Sequence, residues 1–265
     1  MADPAEALTT LSAPSAADFA AVEARAAAAL DALLRAAASP LEVQHAPRRP
    51  DEFLGEDQIV VVIDDGYSEL YDQSATVGEF DFHGLTDDPD ASVDRLDSHG
   101  SWVAQTLLGV APEADIVHFK VFPDSGGSAL IGDIEQALEA ALALDAEPEI
   151  EIAAVNLSLG FGNATGETGT RLSDEVLALL EAGIVPVAAA GNSGTVYPEG
   201  VSVIAASPGA VGVSATDAGG AFAAFSQRDP ELTDIAAPGT DILYQTLSGQ
   251  TGRVDGTSFS APYVS

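Results

Sequence analysis

Asp64 closes a run of β-branched residues, Val60-Val61-Val62-Ile63, and is followed by Asp65 and Gly66. The run reads as a buried strand, and open α/β sheets form their ligand crevices at the carboxyl ends of strands. His99 stands in Asp97-Ser98-His99-Gly100-Ser101-Trp102-Val103-Ala104. Val103, Ala104 and Leu107 give this stretch the inner face of a helix, so the imidazole is held rigidly at the helix start. Ser258 lies in Gly256-Thr257-Ser258-Phe259-Ser260-Ala261-Pro262, where small neighbours would let a carbonyl approach Oγ. An N–H at a helix start there could stabilise an oxyanion. Asn192 follows Ala188-Ala189-Ala190-Gly191, and its side-chain amide could supply a second donor.

Each motif alone has a plainer explanation. Asp-Gly after a strand is commonly a turn, His99 could be a surface or cap histidine, Ser258 an N-cap and Asn192 a turn residue. His83 is a rival histidine, but no helical pattern follows it. His45 sits in a linker region and His118 in a strand, neither in a matching context.

Positioning these side chains requires a particular set of elements. Strand patterns at residues 59–63, 115–122, 152–159 and 184–190 alternate with helical patterns at 100–108, 129–144 and 172–182. In the second helix Leu130, Ile131, Ile134, Leu138, Ala141 and Leu142 fall on one side. This alternation predicts a mainly parallel sheet covered on both faces. From about residue 208 short strands and Gly/Pro turns predominate, and there is no internal repeat. Residues 1–50 are rich in alanine, with Phe19, Val22, Ala26, Leu30, Leu33 and Leu34 at helical spacing before Pro40. Residues 46–50 (APRRP) read as a linker. The segment is either an amphipathic helix on the main body or a short pro-segment guarding it. Residues 51–265 would form the main domain.

Asp64, His99 and Ser258 occur in the chain order of the subtilisin triad. The segments around them resemble the subtilase aspartate, histidine and serine motifs. The likeness continues through Gly109-Val110-Ala111-Pro112, Lys120-Val121, Asn156-Leu157-Ser158-Leu159-Gly160, Phe225-Ser226 and Ala236-Ala237-Pro238-Gly239, so it spans about residues 59–265. The resemblance implies a three-layer α/β/α fold and a serine endopeptidase using Asp64, His99 and Ser258. Asn192 would hold the oxyanion. Ser158, Leu159 and Gly160 would pair with an extended peptide and, with Ala189, Ala190 and Gly191, flank the pocket for the residue before the scissile bond. The small residues there favour a bulky apolar side chain, and the far wall falls within residues 194–207. Three positions depart from the family pattern. Asp65 stands where Ser or Thr is usual, and Trp102 and Tyr263 stand where histidines are usual. The stretch between His99 and Gly109 is short, so the family's tight calcium site is not carried over. The alternatives are a silent subtilisin-like scaffold that only binds peptides or partners, and an α/β protein of unrelated chemistry.

The charge balance is extreme, with 42 acidic against 9 basic residues and a net charge of −33. Such a surface repels phosphate backbones and excludes nucleic acid as a partner. A general acidic adaptation accounts for it better than calcium dependence, because the acids are spread along the chain. The run Asp87-Asp88-Pro89-Asp90 is either a solvated loop or a cation site. With no cysteine, disulfides and thiol chemistry are excluded. The chemistry needs no cofactor, and structural calcium is possible but not assignable. Apolar runs are too short for membrane insertion. The start has no classical signal peptide, although the resemblance favours secretion. Oligomeric state is left open. Only about two helical turns follow Ser258, so the domain is expected to lack its C-terminal helices.

Overall fold

The computed structural model describes residues 54–83, 91–93, 96–148, 150–167 and 171–265. The helix expected within residues 1–50, the linker at 46–50 and the acidic run at 87–90 lie outside them. Among the described residues seven strands form one sheet. They are β1 (Ile59–Asp64), β2 (Thr76–Asp81), β3 (Asp115–Lys120), β4 (Ile152–Leu157), β5 (Val185–Ala189), β6 (Val211–Thr216) and β7 (Ile235–Pro238). Their order is β2-β3-β1-β4-β5-β6-β7, and every neighbouring pair is parallel. Helices α1 (His99–Val110), α2 (Ile131–Asp145) and α3 (Ser173–Ala182) connect the strands. An antiparallel hairpin, β8 (Ile242–Gln245) and β9 (Thr251–Val254), leads to the short helix α4 (Thr257–Ser260) and a 3₁₀ turn at Ala261–Tyr263.

The period-two alternation of β1 divides its side chains between the two faces of the sheet. Val61 and Ile63 join a core with Ile134, Leu138 and Leu144 of α2 and Val176 and Leu179 of α3. Val60 and Val62 pack on the other face against Val103, Ala104 and Leu107 of α1 and against Phe259. Each buried Val, Leu, Ile or Phe side chain among these contributes roughly 1.5–3 kcal/mol. The result is three layers, α/β/α, with a parallel central sheet.

Two elements differ from the pattern in the sequence. Strand β2 was not legible, because Thr76–Asp81 is an edge strand of mixed polarity that is only partly buried. Helix α2 starts at Ile131, two residues later than its apolar pattern implied. Leu130 is its extended N-cap, and Leu130 and Ile131 are exposed rather than part of the inner face.

From β1 the chain runs to the β2 edge, returns through β3, and crosses to β4 on the opposite side of β1. Strand β1 is therefore the topological switch point, where sheets of this kind open a crevice at the strands' carboxyl ends. Asp64 is its last residue.

Candidate active site

Asp64 is 2% exposed, and both its oxygens lie near His99 Nδ1, at 2.8 and 3.0 Å. A carboxylate only accepts hydrogen bonds, so Nδ1 carries the proton and the lone pair stays on Nε2. The Asp65 N–H also donates to Asp64 Oδ1 at 2.8 Å. Burial pushes the Asp64 carboxyl up, and the imidazole opposes that shift.

Asp65 has a distinct role that its sequence position did not reveal. Its Oδ2 accepts from the His99 backbone N–H at 3.0 Å, and its Oδ1 accepts from the Gly100 N–H at 2.8 Å. The second carboxylate thus caps the first turn of α1 and fixes the backbone that carries the imidazole. Ser98 is the N-cap proper and accepts from the Ser101 N–H. The close approach depends on two glycines. A Cβ on Gly66, at φ +85°, would lie 2.0 Å from Ala91 O, and one on Gly100 would lie 2.1 Å from Gly66 O.

Ser258 lies in the first turn of α4, and the ring of the next residue, Phe259, packs on the His99 ring at 5.3 Å. Ser158 donates from Oγ to the Ser258 carbonyl at 2.6 Å and accepts from Asn156 Nδ2 at 2.9 Å, tying α4 to the end of β4. Asn192 is held in one orientation. Its Oδ1 accepts from the Thr257 N–H at 2.9 Å and the Thr257 hydroxyl at 3.0 Å. Thr257 Oγ1 accepts in turn from the Gly191 N–H at 3.0 Å. With Oδ1 committed to Thr257, Nδ2 is the end of the Asn192 amide that these bonds leave unused.

A cavity of about 490 Å³ collects these groups; Asp64, His99, Ser258, Asn192, Ser158, Leu159, Gly160, Ala189 and Gly191 all line it. Ala190 does not. Its side chain is fully buried in the core on the α2/α3 face, because adjacent residues at a strand end point to opposite sides. Ser202 lines the wall expected from residues 194–207, donating to Ala189 O at 2.8 Å. Phe122, Gly126, Gly127, Phe161 and Gln227 also line the cavity, and the sequence reading missed them. Pro123-Asp124-Ser125-Gly126-Gly127, with both glycines at positive φ, carries the local signal of a turn there.

His83 lies elsewhere, with Nδ1 3.2 Å from Asp133 Oδ2. Trp102 stacks on Tyr244 of β8 at 4.7 Å and donates to the Tyr71 hydroxyl at 2.7 Å. Gln105 pairs with the Gln245 backbone at 2.7 and 3.0 Å. Helix α1 is therefore fastened to the hairpin that precedes Ser258. Tyr263 packs against the buried group that includes Val187 of β5 and Val213 of β6. Among the described residues no group of three or more His, Asp or Glu is arranged to hold a metal ion. No described helix is long and apolar enough to cross a membrane.

Asp64, His99 and Ser258 thus line one cavity at the switch point of a parallel three-layer α/β fold. The family described as the subtilase family matches residues 55–265, and the chain belongs to it. It is 33% identical over 177 residues to a thermostable alkaline protease of Halalkalibacterium halodurans, covering 63% of this chain and 44% of that protein. Subtilisin E of Bacillus subtilis is 35% identical over 178 residues, 63% of this chain and 43% of the relative. Alkaline protease 1 of Aspergillus clavatus is 31% identical over 208 residues, 75% of this chain and 49% of the relative. The chain thus spans less than half the length of each of these three. The crystal structure of a cold adapted subtilisin-like serine proteinase superimposes with a TM-score of 0.66 at 26% identity, covering 80% of this chain and 74% of that one.

Proposed function

We propose that the chain carries the catalytic site of a serine endopeptidase. The observation that supports this best is the His99 imidazole, held by buried Asp64 at 2.8 Å in a cavity that Ser258 and Asn192 also line. In this reading Ser258 Oγ attacks the carbonyl carbon of a peptide while His99 Nε2 takes its proton. The tetrahedral oxyanion receives hydrogen bonds from Asn192 Nδ2 and the Ser258 N–H. As the C–N bond breaks, His99 passes the proton to the leaving amine, and water then hydrolyses the acyl-enzyme by the same route. Asp64 orients the ring and stabilises the imidazolium. Substrates are proteins or peptides bound in extended form along residues 158–160, with one side chain entering between that segment and residues 189–191. The family resemblance favours action outside the cell, where a cysteine-free chain needs no oxidant to fold.

The test is covalent labelling with a fluorophosphonate probe, followed by peptide mapping. Label on Ser258 that disappears in Ser258→Ala and falls sharply in His99→Ala supports the proposal. A folded wild-type chain that binds peptides but takes no label is instead a silent scaffold.

A further inference from the structure

Gln227, in the segment between β6 and β7, lies in none of the motifs that point to catalysis. It is 2% exposed and lines the same cavity. Its backbone is fixed on both sides. The N–H donates to Gly191 O at 2.8 Å, and the carbonyl accepts from Ser214 Oγ at 2.9 Å and Ser226 Oγ at 3.0 Å.

Its side chain spans the gap between two loops. Nε2 donates to Asn163 Oδ1 at 2.8 Å and to Gly162 O at 3.3 Å, both in the loop after β4. Oε1 accepts from the Ser193 N–H at 3.3 Å, in the loop after β5 that carries Asn192. A flipped amide would set acceptor against acceptor at one end and donor against donor at the other, so one orientation satisfies all three bonds. Gly191 makes room for this arrangement. A Cβ there would lie 2.1 Å from Gln227 Oε1.

We propose that Gln227 is a positioning residue that sets the separation of these two loops, and through it the selectivity of the pocket for the side chain preceding the scissile bond. The proposal rests on the pocket assignment made above. Three features carry it together: a carboxamide that reaches both walls, its burial beside the cavity, and the absent side chain at Gly191. A carboxylate in its place keeps the size but turns an acceptor toward Asn163 Oδ1 and Gly162 O. An asparagine keeps the chemistry but is one methylene too short to reach both loops. Either change loosens the slot, and a loosened slot discriminates less between large and small side chains.

The experiment compares the full chain with Gln227→Glu and Gln227→Asn. Two peptides that differ only in a C-terminal Phe or Ala are titrated for Kd, and matching amide substrates give kcat/KM. The expected result is a Phe-over-Ala preference about tenfold lower in both variants than in wild type, with fluorophosphonate labelling of Ser258 retained. A preference within twofold of wild type overturns the proposal. So does an equal loss for both peptides, which marks a role in stability alone, and so does failure of wild type to bind either peptide. If wild type binds but takes no label, the peptidase reading falls and the Kd ratios still decide the role of Gln227. Should Gln227→Glu fail to fold, Asn163→Ala removes the far acceptor from a half-buried site. It is expected to shift the preference in the same direction, and an unchanged ratio overturns the proposal.

Discussion

His118 gives the sharpest test of how this fold responds to pH. It sits in β3 beside Val62 and Glu79 of the flanking strands, 1% exposed, with its ring 5.1 Å from that of Tyr67. Among the described residues neither ring nitrogen has a hydrogen-bond partner. Nearby charges are already engaged. Lys120, two residues on, pairs with Asp81 and with Asp124, and Glu79 accepts from the Ala91 N–H. Burial without a partner penalises the imidazolium and lowers the His118 pKa from 6.5 to about 4. Because the folded value is the lower one, the stability linked to this group is complete above the unfolded value and disappears as pH falls through the folded value. The loss amounts to about 2 kcal/mol at pH 5 and about 3 kcal/mol at pH 4. His118→Leu removes the titration. Urea unfolding of both proteins at pH 7 and pH 5 separates this effect from the carboxylates, which the two chains share. Wild type should lose about 2 kcal/mol more than the variant over that interval. Parallel losses would refute the reasoning and mean that the ring finds a partner or water on protonation.

Three further outcomes follow from the site. Asn192→Ala in an active form should lower kcat by about 10²–10³-fold with little change in KM, since its bond strengthens in the transition state; equal activity would remove Asn192 from the oxyanion site. Asp65→Ala deletes both acceptors on the first turn of α1 and should cost about 1–2 kcal/mol in unfolding free energy, with Asp65→Asn, which keeps one acceptor, recovering part of it. An unchanged melting temperature in the alanine variant would show that water replaces the carboxylate without loss. With a net charge of −33, melting temperature should rise as NaCl is added from low to moderate concentration, and a steady fall would contradict screening as the cause.

Much of the fold was legible because its signals are local. The β-branched run ending at Asp64, the apolar face of α1 and the helix–strand alternation each follow from side-chain periodicity, and period fixes which face is buried. The edge strand β2 escaped notice because half-exposed residues carry no strong pattern. Asp64, His99, Ser258 and Asn192 were legible as motifs, because small residues and helix or strand ends leave a mark in sequence. Asp65 was visible only as a second charge; its capping bonds reach residues 34 and 35 positions away. Gln227 had no local signal at all, since its three bonds join segments that only the folding of β4, β5 and β6 brings together. Ala190 shows the same limit in reverse, because its neighbours line the cavity while its own side chain turns into the core. The sequence by itself determined which residues could do chemistry and which elements carry them. The tertiary structure alone decided who partners whom, because hydrogen bonds between distant loops depend on strand order and register, and these emerge only when the sheet closes its core.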